Sequence, residues 1–160
     1  MLNEPIISNT TPLIKLAGVG LLDLLPRLYG AVWIPEAVRM EYQDGAKVTD
    51  PNLDALPWMR VVPVAFNSAL PANLGRGEAA VISLALEYSG RPVLIDDKMG
   101  RHLAERLNLP IIGTLGVLLT AKRVGLIAAV RPLVDEMLAQ GRHISLYLRA
   151  SVIRMAGEED

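Results

Sequence analysis

The feature that most restricts what this chain can fold into is a regular alternation. Short apolar runs closing in small or acidic polar residues take turns with longer stretches of helical periodicity. Ile6-Ile7-Ser8, Ala31-Val32-Trp33-Ile34, Val93-Leu94-Ile95 and Pro110-Ile111-Ile112 read as strands. Such strand–helix alternation belongs to an α/β domain whose parallel sheet is covered by helices on both faces. The spacing predicts helices over Leu13–Gly18, Leu21–Tyr29, Pro35–Tyr42, Gly77–Tyr88, Lys98–Leu107 and Thr114–Val124. Met59–Phe66 is β-rich but contains Pro63, which places it at a sheet edge. Residues 43–57 read as a loop, and the tail from about 126 to 156 as helix interrupted at Gly141. The expected organisation is one α/β domain over 1–125 with a C-terminal helical extension over 126–160.

Composition narrows the function classes. The 160 residues are 51% hydrophobic and 21% charged, too apolar for a disordered chain. Sixteen bases against 17 acids leave a net charge of −1, so the broad positive face of a duplex-coating protein is missing. With no cysteine, disulfides, thiolate catalysis and cysteine-based zinc sites are excluded. Met1-Leu2-Asn3-Glu4-Pro5 carries an acid where a secretory leader needs positive charge. The uncharged run Leu107–Ala121 is interrupted by Pro110 and Gly113 and is shorter than the ~20 residues of a membrane span. The expectation is a cytoplasmic protein without a membrane segment. A mean hydropathy of +0.33 is high for so small a chain, and with Leu126–Val130, Leu133 and Val134 in the tail it points to a homodimer.

In open parallel sheets, ligands bind beyond the carboxyl ends of the strands. The polar residues there are Ser8-Asn9-Thr10, Asp96-Asp97 and Gly113-Thr114, and the helix acids Glu41 and Glu78 can join them. Several carboxylates at one point need a cation, and oxygen ligands suit Mg²⁺ or Mn²⁺. Each acid also has a plainer reading. Glu78 opens a helix, where its charge favours the dipole, and Glu41 can simply be solvated. Glu36 and Glu41 are separated by roughly 140° of helix rotation, so only one of them faces a given ligand. Of the neighbours Asp96 and Asp97, one enters the site while the other caps the helix beginning near Lys98. Lys98, Arg101 and Arg76 stand beside these acids and can hold phosphates or form surface ion pairs.

Taken in order, Ser8-Asn9-Thr10-Thr11-Pro12-Leu13-Ile14, Ile34-Pro35-Glu36-Ala37-Val38 with Glu41, Gly77-Glu78-Ala79-Ala80-Val81-Ile82, Leu94-Ile95-Asp96-Asp97 and Ile112-Gly113-Thr114-Leu115-Gly116 resemble the PIN domain. The likeness covers nearly the whole chain and is closest to a bacterial and archaeal branch distantly similar to VapC-type toxins. It implies a Rossmann-like, three-layer fold and a ring of acids holding Mg²⁺ or Mn²⁺. The implied activity is ribonucleolytic cleavage of single-stranded RNA, with an antitoxin protein as a partner. By the resemblance, the metal set falls on Asn9, Glu41, Glu78, Asp96 and Asp97, with Glu41, Glu78 and Asp97 catalytic. Thr10, Arg76, Lys98, Arg101 and Thr114 fall on the substrate side. One position departs from the pattern: Asn9 stands where active PIN nucleases usually carry Asp. A carbonyl oxygen can still reach a metal, but without the charge. The alternative is therefore a degenerate PIN-like module that binds RNA or a protein without cutting.

Gly75-Arg76-Gly77-Glu78-Ala79-Ala80 also fits the dinucleotide pattern G-x-G-x-x-A, with Asp97 about twenty residues further on. The preceding strand and this glycine pair are separated by a loop through Pro71, which is the wrong context for that fingerprint. His102 and His143 sit in basic surroundings and read as surface residues. Tyr42 and Trp33 are candidates for stacking on bases, although the strand position of Trp33 favours the core.

Overall fold

A computed structural model describes residues 4–160. Met1–Asn3, part of the start read against a leader, lies outside the described residues. The elements run β1 (Ile6–Ser8), α1 (Thr10–Gly18), α2 (Leu24–Tyr29), β2 (Val32–Ile34), α3 (Glu36–Gly45), β3 (Met59–Val61) and α4 (Arg76–Glu87). They continue with β4 (Val93–Leu94), α5 (Lys98–Arg106), β5 (Ile111–Ile112), α6 (Thr114–Arg123), α7 (Arg131–Ala139) and α8 (Leu146–Met155). The five strands lie in the order β3-β2-β1-β4-β5, and every neighbouring pair is parallel. This is the α/β fold that the alternation predicts.

Strands this short hold together because they are buried on both faces. Ile6, Ile7, Val32, Ile34, Val93 and Leu94 are all fully buried, as a parallel sheet under helices requires. The central strand β1 pairs on both sides, Ile6 with Val32 and Ile7 with both Trp33 and Val93. From β1 the chain builds outward to β2 and β3 on one side, then crosses to add β4 and β5 on the other. The crevice between the carboxyl ends of β1 and β4 is thus the topological switch point.

Pro63 acts as expected. The strand ends at Val61, at the edge of the sheet and short of the predicted Phe66, where its neighbour β2 gives way to α3. The last bond to β2 is Val62 N–H to Ile34 O at 2.9 Å, and Pro63 falls on the open side where no N–H is needed. α3 runs on to Gly45, past the predicted end at Tyr42, and the loop that follows contains a 3-10 turn, Leu53–Ala55, set by the Asn52 side chain accepting from the Asp54 amide at 3.1 Å. It plugs Leu53 into the core. Three residues have no periodicity to read.

The tail differs most. Residues 126–130 are not helical, and α7 begins only at Arg131, with Pro132 in its first turn. Val130, Val134, Met137 and Val152 join β1 and β4 in one hydrophobic cluster, with Leu126, Ile127 and Leu133 packed against it. The tail residues from which self-association was inferred are therefore largely spent on the chain's own core. Within the tail, the exposed large apolar side chains lie instead on α8, where Leu146, Tyr147 and Met155 are 82%, 84% and 72% exposed. Among the described residues, no helix is long and apolar enough to cross a membrane.

Glu158 fastens this tail. Its carboxylate accepts from the amides of Val130 and Arg131, both at 2.8 Å, and from Lys122 Nζ at 2.9 Å. It supplies an anion to the otherwise uncapped start of α7. Burial opposes its charge, yet the Lys122 ammonium and the two amides outweigh that and pull its pKa down to about 2. A depressed carboxyl pKa contributes stability above the ordinary carboxylate value and loses it as pH falls towards 2. Glu158→Gln should cost about 2 kcal/mol, or roughly 5 °C in thermal midpoint at neutral pH. The gap between the variant and the parent should close as melting is repeated from pH 5 down towards pH 2.

Candidate active site at the carboxyl edge of the sheet

The first candidate position is set by β1. Ser8 completes the ladder, and the next residue, Asn9, donates its backbone N–H to Leu94 O at 2.9 Å while standing at the N-cap of α1. Its side chain makes no capping hydrogen bond there. Asn9 is 3% exposed, and its Oδ1 is buried without any hydrogen-bond partner. A buried amide oxygen in this condition is costly until a donor such as water, or a cation, completes it.

Next to it, Thr10 Oγ1 donates to Glu41 Oε2 at 3.0 Å. Glu41 comes from the second turn of α3, the helix that β2 launches, and reaches across to the first turn of α4. There the chain has Gly77, and a Cβ built on it would lie 2.5 Å from Glu41 Oε1. The glycine makes room for the carboxylate. Gly75 plays a similar part for Glu78, whose carboxylate folds back against it at the start of α4, where unpaired amides favour an anion. The two glycines of the dinucleotide-like pattern therefore harbour carboxylates, the opposite of a pyrophosphate cradle.

The two aspartates after β4 divide their work. Asp97 caps α5, accepting from the Gly100 amide at 2.8 Å through Oδ2. Asp96 points into the crevice. Its Oδ1 accepts from the Thr114 amide at 2.8 Å, and its Oδ2 from the Thr114 hydroxyl at 2.6 Å and from Lys15 Nζ at 3.1 Å. Lys15 is only 9% exposed, so this ion pair is mostly withdrawn from water. The reading of the sequence missed Lys15. The signal was a lone base inside the apolar stretch Leu13-Ile14-Lys15-Leu16-Ala17, which cannot be buried without an acid to meet it.

The basic candidates also separate. Arg101 Nη1 donates to Ile95 O at 3.0 Å and holds the strand end, next to Gly113. Arg76 and Lys98 have no ion-pair or hydrogen-bond partner among the described residues. The stacking candidates are placed elsewhere. Tyr42 is 1% exposed, its hydroxyl donates to Pro51 O at 2.8 Å, and burial with the nearby Asp50 charge pushes its pKa up to about 12. Trp33 is capped by the Arg91 guanidinium, 4.2 Å from its ring centroid, and meets Tyr88 edge-on.

With the geometry in view, the comparison with known families is informative. A family model described as a PIN domain (DUF3368) matches residues 5–158. This chain belongs to the PIN-domain family. No curated protein and no solved structure matches it. PIN domains generally use divalent metals, and the donors here are of the right kind, since Asn9 Oδ1 and the Glu41 carboxylate are hard oxygens. The charge is sparse. Among the described residues, no three His, Cys, Asp or Glu side chains are grouped so as to hold a metal ion. The set fits a cation bound through few anionic ligands and a neutral carbonyl.

The fit of Glu41 against Gly77 generates a test that separates stability from function. Gly77→Ala meets only the flexible end of Glu41, so the helix should gain up to about 1 kcal/mol from the better helix former. The displaced carboxylate should then lower Mn²⁺ affinity several-fold. Thermal melting and calorimetric Mn²⁺ titration of the same variant check both halves.

Proposed function

We propose that this PIN domain is a ribonuclease that hydrolyses phosphodiester bonds of single-stranded RNA, using Mg²⁺ or Mn²⁺ held by Asn9 and Glu41, with the charges of Glu78 and Asp97 acting on it through bound water. The observation that carries the reading is the unpartnered, buried Oδ1 of Asn9 beside the Thr10–Glu41 pair at the switch point. A cation bound there would supply Lewis acidity, lowering the pKa of a bound water and offsetting phosphate charge.

The chain's own groups have definite tasks in this scheme. Thr10 orients the Glu41 carboxylate, and Gly77 keeps its path open. Asp96 is saturated by Lys15 and Thr114, so it fixes α1 and α6 around the crevice and serves as support more than as a ligand. Lys98 and Arg76 meet the RNA phosphates, which position the strand without reading its sequence. Self-association through the exposed apolar residues of α8, an antitoxin-like protein partner and a cytoplasmic setting belong to the same proposal.

A second reading has its own support. Asp97 is engaged as a helix cap, and the acids are dispersed. On that reading the domain binds RNA or a protein and does not cut.

One substitution pair decides between them. Asn9→Asp restores an anionic ligand and should raise Mn²⁺ affinity roughly tenfold, with any cleavage of single-stranded RNA rising in step. Asp97→Asn should lower both, while Asn caps a helix as well as Asp does and leaves the melting temperature nearly unchanged. If neither the natural chain nor Asn9→Asp binds Mn²⁺ or cuts RNA, the binding-module reading replaces the nuclease.

A further inference from the structure

Beside the site, at the same edge of the sheet, lies an apolar groove of about 450 Å³. Its floor and walls include Met40 of α3, Val61 of β3, and Val64 and Phe66 of the segment that follows. Its inner end is closed by Arg76 and Ala80 of α4. Met40, Val61 and Phe66 are 51%, 40% and 57% exposed, and Phe66 is the chain's single phenylalanine. These side chains are left in water although the core of this chain takes up nearly every other large aliphatic residue nearby.

Three observations say what the groove holds. It adjoins the site, because the first two turns of α4 carry Arg76 and Ala80 on the groove and, between them, Gly77 against the Glu41 carboxylate. It carries an unpaired cation that suits a phosphate: Glu36 on the rim is held at 2.7 Å by Arg39, which it shares with Asp54, whereas Arg76 has no ion-pair partner among the described residues. Finally, an apolar slot with one exposed aromatic ring and one cation at the end nearest the site matches an unstacked base with its phosphate.

We infer that this groove is a base-binding subsite, taking a nucleobase of single-stranded RNA against Phe66 and Met40 while Arg76 holds the adjoining phosphate. The inference rests on the RNA-directed reading of the site and adds to it a place for the substrate. The base is gripped by stacking and apolar contact, so the subsite is tolerant of sequence. It works without metal.

The experiment is RNA binding in EDTA, read by fluorescence anisotropy with labelled oligouridylate and oligoadenylate, on the full chain and on Phe66→Ala and Phe66→Trp. Phe66 is exposed, so neither change should disturb folding, and melting curves check this. The expected result is about tenfold weaker binding for Phe66→Ala, recovery for Phe66→Trp, and no difference among the three with an abasic oligonucleotide. Photocrosslinking of 4-thiouridine RNA should label Phe66 or Met40. If the natural chain binds RNA and Phe66→Ala binds it equally, with crosslinks elsewhere, the subsite is overturned while the RNA-directed reading stands, and the groove is left for a protein segment. If the natural chain binds no single-stranded RNA with or without Mn²⁺, both fall together.

Discussion

Asp96 closes the crevice on which the rest of the arrangement depends. Its carboxylate joins the end of β4 to the first amide and hydroxyl of α6 and to a lysine on α1, three segments that are far apart in the chain. A parallel sheet leaves its strand ends unconnected, and only side chains can hold them in register with the helices that follow. A buried pair like this one contributes little net stability, but removing one partner leaves an uncompensated charge and costs about 3–5 kcal/mol. Lys15 and Asp96 consequently fix each other, and with them the walls between which Asn9 is buried.

Around that fixed point the site is built by leaving things out. Gly75 and Gly77 lack the side chains that would displace Glu78 and Glu41, and the first turn of α4 is thereby lined with two carboxylates. Asn9 carries an oxygen with no partner. β3 ends where β2 gives way to α3, and the segment beyond it, with Pro63, walls the apolar groove. Each omission costs stability locally and is tolerated because the strands beneath are fully buried. The fold is rigid where it is apolar, and it exposes its unmet chemistry at one edge.

Much of this was legible in the sequence because it depends on local pattern. Apolar runs buried on both faces give continuous hydrophobic stretches, so Ile6–Ser8, Val32–Ile34 and Val93–Leu94 declared themselves, as did the edge position of the Pro63 segment. The carboxyl-edge residues followed from topology, since whatever comes after a strand must lie at its end. What was not legible depends on distance. The Lys15–Asp96 pair spans 81 positions, and nothing in either neighbourhood names the other. Local chemistry permits either aspartate to cap α5, and the choice of Asp97 is made by the approach of α6 to Asp96. The tail was misread for a similar reason. Leu126–Val130 has helical composition, but Glu158 and the core at Val130 fix the start of α7 later.

The central claim is that the edge around Asn9 and Glu41 is where a divalent cation enters this PIN domain. Paramagnetic broadening of backbone amide signals by substoichiometric Mn²⁺ tests it directly. The account predicts that the amides of Asn9, Thr10, Glu41, Gly77 and Glu78 disappear first, with those around Asp97 next. Broadening that begins instead at the exposed acids of the C-terminus, or that spreads evenly over the surface, would contradict it.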